Sequence, residues 1–211
     1  MTDDKLVLIG DIMASRQVKD RAGLQSKLIQ VIELINKRNP GLDSPYTLTL
    51  GDEFQAVLNR ADQVFHDLVS LSAAIYPCRA RFALALGRIE TPINPHQAIG
   101  MDGEAFHLAR AVIDELKKDD ELFGVKGLQG PGAALAVATL RLLSWEIRKW
   151  KHTRIQVLDL LLADHSVAQM ARRLNLSDKT IYKSIDAGNL HRVIQTFEEI
   201  ATLINLQMQD T

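Results

Sequence analysis

One cysteine, Cys78, stands among 211 residues, which excludes an internal disulfide and fits a reducing cytosol. It lies at the start of an apolar strand pattern and reads as a packing residue. No apolar stretch reaches the ~20 residues that span a bilayer. The richest one, Ala133–Leu143, is interrupted by Thr139 and Arg141. The acidic opening Met1-Thr2-Asp3-Asp4 leads into a short apolar run only, so no signal peptide is expected. Strong charge is missing as well: a net charge of -1 excludes a polyanion binder that works by bulk electrostatics. Internal repeats and low-complexity tracts are absent. His66, His96, His152, His165 and His191 show no metal-ligand spacing. The expectation is a cytoplasmic globular protein.

What is present is unevenly distributed. Residues 131–211 hold 10 Lys/Arg against 8 Asp/Glu, whereas residues 1–130 hold 15 against 18. Gly127-Leu128-Gln129-Gly130-Pro131-Gly132 is the best linker signal. The pattern divides the chain into a head, residues 1–130, and a helical tail, residues 131–211.

In the head, Lys5–Ile12 is a nearly continuous apolar run, the mark of a strand buried on both faces. Leu24, Leu28, Val31, Ile32 and Ile35 recur at helical spacing until Asn39-Pro40-Gly41 stops them. Tyr46–Leu50 and Phe54–Leu58 flank Gly51-Asp52-Glu53 as a β-hairpin. A helix to Ile75, an alternating strand over Arg79–Ile89, a helix over Gly103–Lys118 and a short strand at Phe123–Lys126 complete the series. This order predicts an α+β class with a ferredoxin-like sandwich, followed by an all-α part. In such a sheet the first strand runs antiparallel beside the third. Gly10-Asp11 and Gly51-Asp52-Glu53 then share one sheet edge.

Carboxylates that converge on one edge repel each other unless a cation neutralises them. Mg²⁺ suits this place, since it takes carboxylate oxygens and completes its shell with water and phosphate. Asp11, Asp52 and Glu53 are the candidate metal ligands. A phosphate would sit at the start of the following helix, with Ser15 as a hydroxyl donor and Arg16 as a fork for its oxygens. An alternative stays open, because Gly-Asp pairs also make turns and helix caps.

Ile9-Gly10-Asp11-Ile12-Met13-Ala14-Ser15-Arg16, with Leu48-Thr49-Leu50-Gly51-Asp52-Glu53-Phe54-Gln55, resembles the SatD family of bacterial proteins over nearly the whole chain. That resemblance implies no particular activity. A looser similarity runs to class III nucleotidyl cyclases and to the palm domains of diguanylate cyclases and polymerases. It implies metal binding by Asp11 and Asp52, with the backbone carbonyl of Ile12 as a further ligand. Arg81–Gly87 resembles the fourth cyclase strand, and Gly103–Arg110 the helix after it. The cyclase position for a base-selecting Lys is Leu48 here. The transition-state Asn position is His107, and the Arg position is Ala111. Arg110 is adjacent but projects elsewhere on the helix. With His107, a possible acid/base or phosphate contact, it completes the candidate ligand edge. The resemblance thus implies the metal half of a cyclase site without the charge stabilisers of its catalytic half.

In the tail, Ser166 caps a short amphipathic helix that ends at Leu174, Asn175 suits a left-handed turn, and Ser177 caps a second helix over Asp178–Ala187. This is the helix-turn-helix pattern, over residues 166–187. It resembles the tails of many bacterial response regulators and sigma factors. Lys179, Thr180, Tyr182, Lys183 and Ser184 are the candidate DNA contacts on the second helix, with Arg172 and Arg173 on the first. Residues 166–192 carry five basic and two acidic side chains, a modest charge that calls for a homodimer to bind DNA usefully. Protein contact and packing are the other uses of this geometry. The basic cluster Arg148–Arg154 reads as a solvated helix end with Trp150 in the core.

Three functions follow. The first is a regulator whose head binds Mg²⁺ and a nucleotide or other phosphorylated ligand and whose tail binds DNA. The second is a metal-dependent nucleotide phosphotransferase or phosphohydrolase that uses the tail for assembly. The third is a non-catalytic interaction module.

Overall fold

The central strand β1, Lys5–Ile12, buries side chains on both faces because its sequence is apolar at successive positions. Leu6, Leu8 and Ile12 face one core, and Val7 and Ile9 face another. The computed structural model describes residues 4–49 and 51–209; Met1, Thr2, Asp3, Leu50, Asp210, Thr211 and the side chain of Arg16 lie outside that description. Helix α1 is Arg21–Arg38, β2 is Leu42–Leu48, β3 is Glu53–Leu58 and α2 is Val64–Ile75. Strand β4 is Ala80–Gly87, α3 is Glu104–Asp119 and β5 is Phe123–Lys126.

The sheet order is β2-β3-β1-β4-β5, with β1 antiparallel to both β3 and β4. Strand β5 lies parallel to β4, with α3 as the crossover between them. The expected adjacency of strands one and three is therefore present. Strand β2 starts four residues earlier than the pattern predicts, at Leu42. Its register shifts between Ser44 and Thr47, around Pro45, which has no N–H for the ladder, so the alternation is broken there.

Helix α3 covers one sheet face together with the segment before it, whose Asn94 and Ala98 carbonyls accept from Ser44 and Gln55. Ala105 and Ala109 allow close approach, and Phe106, Val112, Ile113 and Leu116 fill the space. The other face carries α1 and α2, and the remaining five helices extend the same apolar cluster. These are α4 Gly130–Ile147, α5 His152–Leu162, α6 Val167–Leu174, α7 Asp178–Gly188 and α8 Leu190–Gln209.

The boundary expected at residue 130 falls on the first turn of α4, and the core runs across it. Phe197 of α8 stacks on Phe65 of α2 at 4.6 Å between ring centres and meets Phe123 of β5 edge-on at 6.4 Å. Phe123 stacks in turn on Phe82 of β4, and Phe82 meets Phe54 of β3. Trp150 is buried, as its place at a helix end leads one to expect. The glycine-rich segment is a tight, packed connection. Pro131 enters the first turn of α4, where its missing N–H costs nothing, and Gly127 lies against the carbonyl of Leu86. Among the described residues no helix is long and apolar enough to cross a membrane.

Candidate functional site

Gly10 is required by packing. A Cβ there would lie 2.1 Å from the Phe54 ring, which crosses β1 at this point. Next to it, Asp11 pairs with Glu53 across the β1–β3 ladder and with Arg81 across the β1–β4 ladder. Directly opposite residues share a face, so Asp11, Glu53 and Arg81 all point toward α3.

This face is neutralised from within the chain. Arg81 approaches Asp11 at 3.4 Å, and Lys117 of α3 reaches it at 3.2 Å. Arg110 of α3 forks onto both carboxylate oxygens of Glu53, one of them at 3.0 Å. The Glu53 hydrogen bonds raise the Arg110 pKa above its usual value. Arg110 therefore projects onto the carboxylate edge, contrary to its expected direction. Arg81 and Lys117 are the residues that the motif reading missed. Two signals point to them: Arg81 falls on the Ala83 and Ala85 side of an alternating strand, and Lys117 lies seven positions beyond Arg110 on one helix face.

Asp52 is held differently. Its backbone carbonyl accepts from the Ile12 N–H at 2.9 Å, which confirms that the two motifs meet. Its carboxylate, however, accepts from the Ser15 hydroxyl at 2.5 Å, beside a pocket of about 320 Å³ lined by Ile12, Arg21, Gln25 and Leu28. Ile12 and Leu28 belong to the core on the α1 side. Asp11 and Asp52 are thus engaged on opposite sides of the sheet edge, and Ser15 serves as the partner of Asp52.

The first turn of α1 is capped by Asp20, which accepts from the Gly23 N–H at 2.8 Å. The Arg16 side chain lies outside the described residues. Among the described residues no three or more His, Cys, Asp or Glu side chains are grouped to hold a metal ion. As arranged, Asp11 and Glu53 are paired with side-chain cations on the α3 side while Asp52 takes the Ser15 hydroxyl, so the three carboxylates do not converge on one point. His107 is exposed and pairs with Asp102 at 3.2 Å, away from Glu53's partners.

A second polar cluster carries no sequence motif at all. Asp67 of α2 is 0% exposed, and it accepts from Arg38 at 2.7 Å, Asn39 at 2.6 Å and the Tyr46 hydroxyl at 3.1 Å. Burial raises the Asp67 pKa, while Arg38 and Asn39 oppose the rise. Burial, and then the charge of Asp67, push the Tyr46 phenol well above its usual value. Arg38 also bonds His66 at 2.9 Å. Ser70 donates to Asp159 of α5 at 2.5 Å, which ties α2 to the helices beyond residue 130.

The two helices expected over residues 166–187 are present as α6 and α7, with Asn175 between them. Ser166 and Gln169 form a reciprocal capping box, Asn175 adopts φ 53°, and Ser177 accepts from the Thr180 N–H. Ala171 and Ile181 are buried where α6 and α7 cross. Arg172, Arg173, Lys179, Thr180, Tyr182 and Lys183 are exposed, while Ser184 is half-buried. The Thr180 hydroxyl is shared with the Ser177 cap at 2.9 Å, and Arg173 contacts His165 at 3.4 Å.

The SatD family model matches residues 5–204, nearly the whole chain. This chain belongs to the SatD family. Two solved structures of a bacterial light-regulated adenylyl cyclase resemble this SatD-family protein. One shares 13% identity at a TM-score of 0.46, covering 59% of this chain and 76% of the cyclase chain. The other shares 14% at 0.45, covering 59% and 43%. No curated protein sequence matches this SatD-family chain.

Proposed function

We propose that this SatD-family protein is a DNA-binding regulator in which α7 enters the major groove and α6 braces it. The observation that carries this reading is the α6–Asn175–α7 unit itself. Both of its helices are capped by side chains, and Lys179, Tyr182 and Lys183 stand exposed on the second. Lys179 and Lys183 have no ion-pair partner among the described residues. Their spacing of four places both amines on one side of the helix, free to meet phosphates. Such contacts release counterions, so affinity must fall with salt.

Fluorescence anisotropy with a labelled duplex at about 50 mM salt tests this. Lys179→Ala with Lys183→Ala is expected to weaken binding at least tenfold and to flatten the salt slope by about 2. Absence of salt-dependent binding in the unsubstituted protein removes the proposal.

A second reading gives the head a phosphorylated small molecule, and it rests on the pocket beside Ser15, Arg21 and Asp52. Arg21 supplies the cation and Ser15 a hydroxyl, with Asp52 facing a metal-bound or protonated part of the ligand. A thermal-shift screen of nucleoside mono-, di- and triphosphates with and without Mg²⁺ checks it. A shift of a few degrees, abolished by Arg21→Ala, is the expected result. An identical shift in Arg21→Ala places the ligand elsewhere.

A further inference from the structure

Helix α4 carries an apolar seam that, among the described residues, no other helix or strand covers. Leu135, Leu142 and Trp145 are 70%, 71% and 65% exposed, and Ala138 between them is exposed as well. These four positions are spaced three, four and three apart, the repeat of a helix seam that faces another helix. The opposite side of α4, with Ala136, Leu140 and Ile147, fills the core. The helix is therefore apolar on two faces, and among the described residues only one of them packs against the core.

We infer that this seam is the contact between two copies of the chain, packed as an antiparallel α4–α4 pair about a two-fold axis. The sequence of sizes along the seam is self-complementary in that arrangement. Centring the axis near Leu140 sets Ala138 of one copy against Leu142 of the other, small against large. It also sets Leu135 against Trp145. Beside Leu135 runs a groove of about 370 Å³ between α4 and α8, floored by Ala136, Thr139, Ile200 and Leu203. The partner's indole fills this apolar groove, and the axis repeats the insertion on the other side.

Charge agrees with this occupant. None of the four seam residues is charged, and Arg141, nearest the axis, is tied to Asp119 and Glu121. The two copies' Arg141 residues come near the axis with their charges met by these carboxylates, and Glu199 is the one charged residue that lines the groove. Lys149 lies over the Trp145 ring at 2.7 Å and fixes the indole at the end of the seam. Two indoles of ~150–250 Å² each, with two seams and two grooves, bring the buried area toward the ~1,200 Å² of a stable dimer.

The inference stands on this face alone, although the DNA-binding reading also calls for two copies. Sedimentation velocity on the full chain at about 50 µM is expected to show a dimer. Leu142→Glu and Trp145→Ala are each expected to yield a monomer with an unchanged circular-dichroism spectrum. In a Cys78→Ser background, Ala138→Cys with Leu142→Cys should cross-link under oxidant, and Ala138→Cys alone should not. A monomer at every concentration overturns the proposal, as does a dimer that survives Leu142→Glu. Anisotropy on the same samples separates the two readings. A monomer that binds DNA sinks the seam only, and a dimer that ignores DNA sinks the DNA reading only.

Discussion

Asp67→Ala is expected to destabilise the protein by about 2–4 kcal/mol, mostly from the buried Asn39 and Tyr46 donors left without an acceptor, on the order of 10 °C in Tm for a chain of this size. The carboxylate is fully buried and receives three donors, from Arg38, Asn39 and Tyr46. Its removal leaves the Arg38 guanidinium facing its other partners, His66 and Ser70, without a counter-charge, and two further donors without an acceptor. Asp67→Asn keeps the shape but loses the charge, so its cost should fall between zero and that of alanine. Asp159 is half-buried at the same junction and receives Ser70, so Asp159→Ala should cost less. Chemical denaturation monitored by circular dichroism measures all three. A loss under about 1 kcal/mol for Asp67→Ala would show that water replaces these partners and that the cluster does not hold the junction.

Gly127→Ala is expected to cost about 3 kcal/mol or more, from backbone strain plus overpacking. Gly127 has φ +86°, and a Cβ there would lie 1.8 Å from the Leu86 carbonyl oxygen. That atom belongs to the backbone of β4 and cannot swing aside. Gly51→Ala is the control: its φ of +61° is also left-handed, but nothing lies within 4 Å of the added atom. It should cost only about 1–2 kcal/mol of conformational strain. Equal losses in the two variants would mean that the β4–β5 junction relaxes around the new methyl group.

The contrast between these two glycines shows where pattern reading stops. Both stand in segments rich in turn residues, and composition treats them alike. The distinction lies in what the fold brings against them, which for Gly127 is a strand forty residues upstream. Helix ends and strand identities were legible for a different reason. Ser166, Asn175 and Ser177 act on their own backbone within three residues, so their roles are written locally. Strands β1 and β5 occupy the spans expected from their apolar runs, Lys5–Ile12 and Phe123–Lys126. Strand β2 was less legible because Pro45 and the register shift break its alternation.

The sheet edge divides in the same way. That Gly10-Asp11 and Gly51-Asp52-Glu53 meet follows from element order, because an antiparallel first and third strand leaves no other arrangement. Which partner each carboxylate takes does not follow. The side chain of a strand residue alternates between faces at every step, so Asp11 and Glu53 turn to α3 while Asp52 turns to Ser15. The motifs alone point all three at one cation, whereas Arg81 and Lys117 pair with Asp11, Arg110 pairs with Glu53, and Asp52 takes a hydroxyl.

By itself the chain's order of residues determined most of the elements, the adjacency of β1 and β3, and the two capped helices around Asn175, through local caps, short-range periodicity and the order of the elements. Only the tertiary structure decided that Asp67 collects three donors, that Asp11 and Glu53 pair with cations of α3 and β4, and that α4 leaves an apolar seam exposed. The first two depend on side chains distant in sequence arriving at one place, and the third on which face of α4 the core takes. Free energy from burial and charge pairing acts there through space, and no spacing along the chain encodes it.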